Sequence, residues 1–185
     1  MALAPTLYEF QVELHQVDRG VEQQFSVRLA RHPSETLERL WLRLLGYCWQ
    51  WREGIAVGPG ISDPEQPDIL ATDLTGEVVL WMRVGKVDVV KLQRERDRHP
   101  RAEVVVLFDS PDRLGRFREE LAREGGDLER IQVAAAAPEL LQALAEWDAR
   151  RTKLSLTVVG DHLYLESDGV SLDGPLSAGE ARGVA

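Results

Sequence analysis

Residues 6–14, TLYEFQVEL, alternate apolar and polar, so that Tyr8, Phe10, Val12 and Leu14 share one face. Residues 24–30, QFSVRLA, alternate again through Phe25, Val27 and Leu29. A period of two marks half-buried strands, and Asp18-Arg19-Gly20 between them supplies turn chemistry. The next segment, RHPSETLERLWLRLLGYCWQW, changes period. Leu37, Leu40, Trp41, Leu44, Cys48 and Trp51 recur at helical spacing, which predicts a helix over about 33–52. Pro33 suits its first turn, and Glu35 suits the positive end of its dipole. Gly46 within that helix costs about 1 kcal/mol relative to alanine, a cost that a close helix contact would explain.

Residues 54–76 are rich in glycine and proline, with short strands expected at Ile55–Val57 and Ile69–Asp73. Residues 77–84, EVVLWMRV, are apolar on both faces, as in a central strand. A helical pattern follows over 87–98, and RAEVVVLF then carries the continuous apolar run of a parallel strand. Ser110-Pro111-Asp112 reads as a cap and first turn. The helix behind it runs to Gly125-Gly126 with Leu114, Phe117 and Leu121 inward. A strand at 131–135 precedes a helix from Pro138 to about 150, carrying Leu140, Leu141, Leu144 and Trp147. Residues 153–159 and 163–167 alternate around Gly160-Asp161, a hairpin signal. From residue 174 onward, GPLSAGEARGVA has little to bury and is expected to be a flexible tail. The order predicts one domain over 1–173, an α/β fold in which a mixed sheet is flanked by helices on both faces.

Composition narrows the function classes. The chain has 185 residues, enough for one sizeable core, with 44% hydrophobic and 29% charged residues. The formal net charge of -9 argues against a surface coated in nucleic acid, but it leaves room for a basic patch on an acidic body. One cysteine, Cys48, permits no intrachain disulfide. MALAPTLYEF lacks the positive and long apolar regions of a secretory leader, and no apolar run approaches the roughly 18 residues of a membrane span. A cytoplasmic location with no membrane contact is expected.

Pro67-Asp68, at the entrance to a strand, is the first chemical candidate. Metal-dependent phosphodiester cleavage needs oxygen ligands, usually two carboxylates, around Mg²⁺ or Mn²⁺. Asp68 could be one of them, although Pro-Asp is also a common turn pair. Arg31, His32, Glu35, Glu38 and Arg39 form a second group at the helix start. Glu38 borders the apolar stripe and could face the sheet, or it could belong to a solvated first turn. A basic run includes Arg83, Lys86, Lys91, Arg94, Arg96, Arg98 and Arg101, with acids interleaved. It reads either as a phosphate-contacting surface or as a solvated face of paired charges. Arg83 differs, because it lies within an apolar strand and requires a carboxylate partner. Asp68, Glu38 and Asp73 are available. His15, His32, His99 and His162 show no ligand spacing.

The stretch LARHPSETLERLWLRLL resembles the signature of the YaeQ family. The same holds for Pro67-Asp68, Leu74-Thr75-Gly76, Leu80-Trp81 and Gly85 followed by Asp88. The opening ALAPTLYEF, the Asp18-Arg19 turn and the C-terminal hairpin also resemble it, so the likeness covers nearly the whole chain except the tail. It implies a variant of the PD-(D/E)xK restriction-endonuclease-like fold. Carried over by position, Glu38 or Glu35 is the helix acid and Asp68 the motif aspartate. On the next strand, where the family pattern resembles Trp-Ile-Glu-x-Gly, this chain reads Trp81-Met82-Arg83-Val84-Gly85. The second acid is Arg83, and Gly85 stands where the nuclease motif has lysine. Lys86 or Lys91 could substitute from nearby.

These departures cluster at the implied site. The expectation is therefore a degenerate metal centre that binds an anionic ligand, nucleic acid or a protein partner without cleaving it. Arg31, His32, Glu35, Arg83 and Lys91 are the candidate binding residues. One alternative is a working Mg²⁺- or Mn²⁺-dependent nuclease, with Asp68 and Glu38 as metal ligands and Asp68, Glu38 and Lys86 as catalytic candidates. Another is a protein-interaction scaffold with a vestigial pocket.

Overall fold

A computed structural model describes residues 4–60, 63 and 65–178. Among them the chain forms ten strands: β1 (Thr6–Gln16), β2 (Val21–Arg31), β3 (Ile55–Val57), β4 (Ile69–Thr72), β5 (Val78–Val84), β6 (Glu103–Phe108), β7 (Ile131–Ala136), β8 (Arg151–Val159), β9 (His162–Ser167) and β10 (Val170–Ala178). Four helices are interspersed: α1 (Leu37–Trp49), α2 (Val89–Arg98), α3 (Pro111–Arg123) and α4 (Pro138–Ala145). All ten strands join one mixed sheet in the order β2-β1-β8-β9-β10-β7-β6-β5-β4-β3. The β5-β6-β7 run is parallel, as is β1 with β8, and the other neighbours are antiparallel.

The alternation of each strand decides which layer it feeds. Phe10, Val12, Leu14, Leu29, Leu156 and Leu165 point to the same side as Leu80, Met82 and Val84, and there they bury α1 and α4. Trp81, Val104, Val106 and Phe108 point to the other side and bury α2 and α3 through Leu92, Leu114 and Phe117. Helices therefore cover both faces of the parallel region. Trp41, 1% exposed, meets Phe10 and Trp147 edge-on at ring centroid distances of 5.1 and 5.8 Å. No described helix is long and apolar enough to cross a membrane.

Three expectations need correction. The first helix begins at Leu37 rather than 33, because the Thr36 side chain caps it by accepting from the Arg39 N–H. Pro33 and Glu35 lie in the turn before it rather than in its first turn. The helix after Pro138 ends at Ala145, before Trp147. The tail expected from 174 is ordered through 178. Val170–Pro175 pairs with β9 and Leu176–Ala178 pairs with β7. Residues 179–185 lie outside the described set.

Gly46 is the close contact its position in α1 implied. A Cβ there would stand 2.7 Å from Met82 Cε and 3.2 Å from Ile69 Cδ1, so α1 sits directly on β4 and β5. Gly46→Val is expected to lower stability by about 2 kcal/mol through overpacking, read as a lower urea midpoint with an unchanged slope. Cys48 is fully buried on the same helix, and burial pushes its thiol pKa up. The thiol should stay silent to a disulfide reagent in the native protein and react fully in denaturant. Reaction at the native rate of an exposed thiol would refute this placement.

Candidate functional site

Asp68 is completely buried at the carboxyl end of β5, where β4 begins. Its main-chain N–H donates to the Met82 carbonyl, which seats it beside the end of the neighbouring strand. The Val84 N–H returns a bond to Asp68 Oδ2 at 3.0 Å. Arg39 Nη2 donates to Oδ1 at 2.7 Å, while Arg83 Nη1 stands 4.0 Å from Oδ2. Both carboxylate oxygens are thus engaged, one by a charged donor and one by the backbone.

Glu35, 2% exposed, is the second buried acid. Arg39 Nη1 donates to its Oε1 at 2.6 Å, so a single guanidinium bridges Glu35 and Asp68. Arg43, 1% exposed, approaches both acids. Its Nη1 lies 3.3 Å from Glu35 Oε2, and its Nε lies 4.0 Å from Asp68 Oδ1, within ion-pair range but beyond a hydrogen bond. Arg43 also donates to the Ala30 carbonyl and the Gly58 carbonyl, each at 3.1 Å. Gly60 has a positive φ of 64°, and any Cβ on it would sit 2.9 Å from Arg43 Cζ. Only glycine lets the loop close over that guanidinium. Two carboxylates and three arginines leave the cluster one positive charge in excess.

The other candidates divide. Arg31 Nε donates to the Glu35 carbonyl and the His32 N–H to Glu35 Oε2, so both shape the turn that buries Glu35. Glu38 is half-buried in the first turn of α1 and makes no hydrogen bond or ion pair with a described residue. Asp73 caps its own turn, accepting from the Thr75 hydroxyl and from the Glu77 and Thr75 N–H groups, and those bonds, the hydroxyl's first, hold its pKa down. Of the three partners open to Arg83, Asp68 is the one reached. Arg83 also donates to the Gln66 carbonyl at 2.6 Å, and its guanidinium lies 6.0 Å from the centre of the Trp81 ring. Lys86 is exposed, and Lys91 is paired with Glu65 at 2.6 Å.

The pairing role of Arg39 and the whole of Arg43 escaped the sequence reading. The available signal was the four-residue spacing of Glu35, Arg39 and Arg43, with Arg43 wedged between Leu42 and Leu44 on an apolar helix. Among the described residues, no three His, Cys, Asp or Glu side chains converge to hold a metal ion.

Burial separates the arginines energetically. Arg43→Ala leaves Glu35 short of a partner in a dry site and is expected to cost about 3–5 kcal/mol. Arg83 stands 4.0 Å from Asp68 and keeps more contact with water than Arg43, so Arg83→Gln is expected to cost clearly less. Urea denaturation of the two variants measures the contrast, and equal losses would refute the assignment of Arg43 as the structural pin.

Comparison with known proteins gives the same frame. The family described as YaeQ protein matches residues 1–174. The uncharacterised protein YaeQ of Escherichia coli (strain K12) is 27% identical over 180 residues, covering 96% of this chain and 97% of that one. YaeQ of Salmonella typhi is 35% identical over 95 residues, or 51% of this chain and 52% of its own. The crystal structure of YaeQ protein from Pseudomonas syringae superposes with a TM-score of 0.84 at 28% identity, over 95% of this chain and 97% of that chain. That of YaeQ protein from Xanthomonas axonopodis pv. citri gives 0.86 at 24% identity, over 96% and 99%, a likeness of fold. With a family match along nearly its whole length, the chain belongs to the YaeQ family.

Proposed function

We propose that the protein binds phosphate-bearing anions on a PD-(D/E)xK-like frame whose metal position is taken by arginine, and that it does not hydrolyse them. The observation that carries this reading is the Arg39 guanidinium, 2.7 Å from Asp68 Oδ1 and 2.6 Å from Glu35 Oε1. A divalent cation on Asp68 would have to displace it and then stand beside Arg43 and Arg83, whose charge repels it. The residues present do not fit Mg²⁺ or Mn²⁺. Generating hydroxide at neutral pH calls for a metal ion held by free carboxylate oxygens, and here arginines occupy those oxygens.

The anion-binding half of the proposal rests on the side of Arg83 away from Asp68. There Arg83 lines a cleft of about 280 Å³ with Trp81, Lys86, Lys91 and Arg94. A guanidinium offers phosphate a planar fork of donors, and the acid beneath keeps that fork aimed. The nuclease-like frame is supported by an acid at the entrance to α1, the Asp68 strand entry and the antiparallel β4-β5 pair followed by parallel β6.

The test is calorimetric titration of Mn²⁺ and, separately, of inorganic pyrophosphate. Wild-type protein is expected to show no saturable Mn²⁺ heat but saturable pyrophosphate binding, weakened about tenfold in Arg83→Gln. Saturable Mn²⁺ binding that Asp68→Ala removes would overturn the proposal in favour of a metal-dependent nuclease.

A further inference from the structure

The ten-stranded sheet ends in two edge strands, and they differ. β3 is three residues long, and shortness is one way that proteins blunt an edge. β2 runs for eleven residues in unbroken register with β1 and contains no proline, no lysine and no bulge. The direction of its free groups follows from β1. The Glu9 N–H donates away from β2, to the Arg150 carbonyl, and the Val17 N–H donates to the Val158 carbonyl. Main-chain groups alternate sides along a strand, so Tyr8, Phe10, Val12 and Leu14 bond β2 through their register partners Leu29, Val27, Phe25 and Gln23. The N–H and carbonyl groups of Glu22, Gln24, Ser26, Arg28 and Ala30 therefore point out of the sheet edge. Arg43 takes the Ala30 carbonyl. No described residue hydrogen-bonds to the outward main-chain groups of the other four.

The open span is thus residues 22–28, and its midpoint is Phe25. A second copy that pairs with all of it antiparallel must sit on a two-fold axis at Phe25. That axis sets Gln24 opposite the partner's Ser26 and Glu22 opposite the partner's Arg28, each as a hydrogen-bonded pair with side chains on one face. Glu22 and Arg28 are the only charged residues in the span, so both become cross-strand ion pairs. The exposed Arg28 guanidinium, 3.4 Å from Glu9, would lie between that acid and the partner's Glu22. The partner's strand begins at its Val21, opposite Leu29, and so stops one residue short of the Ala30 carbonyl that Arg43 occupies. On the other face Phe25 packs on Tyr47 and Trp51 at ring centroid distances of 5.5 and 6.4 Å, and all three residues are half-buried. The axis sets Phe25 opposite its own copy, so the two aromatic clusters adjoin. An extended segment of another protein would use the same backbone groups, but the charges of this span are complementary to the span itself.

We infer that the protein forms a two-fold dimer in which β2 of each chain pairs antiparallel about Phe25, joining the two ten-stranded sheets edge to edge.

The test is sedimentation velocity of the full chain across a concentration series, with amide hydrogen exchange on the same samples. Wild-type protein is expected to sediment as a dimer that dissociates on dilution. The Glu22, Gln24, Ser26 and Arg28 amides should exchange slowly in the dimer and fast in the monomer, while the Phe25 and Val27 amides stay slow in both. Ser26→Pro removes a donor that faces out of the edge and spares the bonds to β1, so it should weaken the dimer about tenfold or more. Glu22→Arg sets like charges against the partner's Arg28 twice and should weaken the dimer about tenfold. Adding Arg28→Glu to that variant restores opposite charges and should recover the dimer. Glu22 is exposed, so its substitution leaves the core untouched, and circular dichroism checks the fold of each variant. A wild-type chain that is monomeric at every concentration overturns the proposal. A dimer indifferent to both Ser26→Pro and Glu22→Arg overturns β2 as its interface. A dimer weakened by Glu22→Arg that the double variant does not recover overturns the pairing about Phe25.

Discussion

A buried guanidinium holds this structure together. Arg43 has almost no contact with water, and a charge in that position is tolerable only beside carboxylates and with most of its donors met. Its Nη groups find Glu35, the Ala30 carbonyl at the end of β2 and the Gly58 carbonyl just past β3. Those two strands are the opposite edges of the ten-stranded sheet. One side chain on the central helix therefore reaches both edges, and the loop over it must contain a glycine. Arg39 repeats the arrangement one turn earlier, joining Glu35 to Asp68. The conformation of Asp68 is a result of this network as much as of its own sequence neighbours.

The same network separates two roles that arginine plays here. Arg39 and Arg43 are consumed by the acids they neutralise. Arg83 touches the network from the far side of the sheet and keeps part of its guanidinium in the cleft. A carboxylate pair fixed by arginines holds a cationic surface in place without offering it oxygen ligands.

Much of the fold was legible in periodicity. The alternation of Tyr8, Phe10, Val12 and Leu14 and the apolar run of Val104–Phe108 report local geometry, and each element they predicted exists. Boundaries were less legible where a side chain overrides local preference. Pro33 and Glu35 look like the first turn of a helix, but Thr36 supplies the cap and frees Glu35 to turn inward. The tail misled for a different reason. Gly174, Pro175 and Ser177 carry little strand propensity, and what orders them is a vacancy between β9 and β7 that no local pattern reveals. In the site, the pairing of Asp68 with Arg83 could be anticipated from the need to satisfy a charge in an apolar strand. Arg43 was hidden because an arginine between leucines on a helix usually extends along the surface, and only the folded chain places Glu35 over it.

The position of β10 has a consequence for how the protein is made. Remove it, and the strand order falls into two sheets, β2-β1-β8-β9 and β7-β6-β5-β4-β3. It is also the last of the ten strands to be synthesised. Arg43 and the shared core already link the two halves, and β10 completes the hydrogen-bonded sheet by turning from one neighbour to the other at Pro175 and Leu176. Until that strand is in place, the edges of β9 and β7 are open to mispairing.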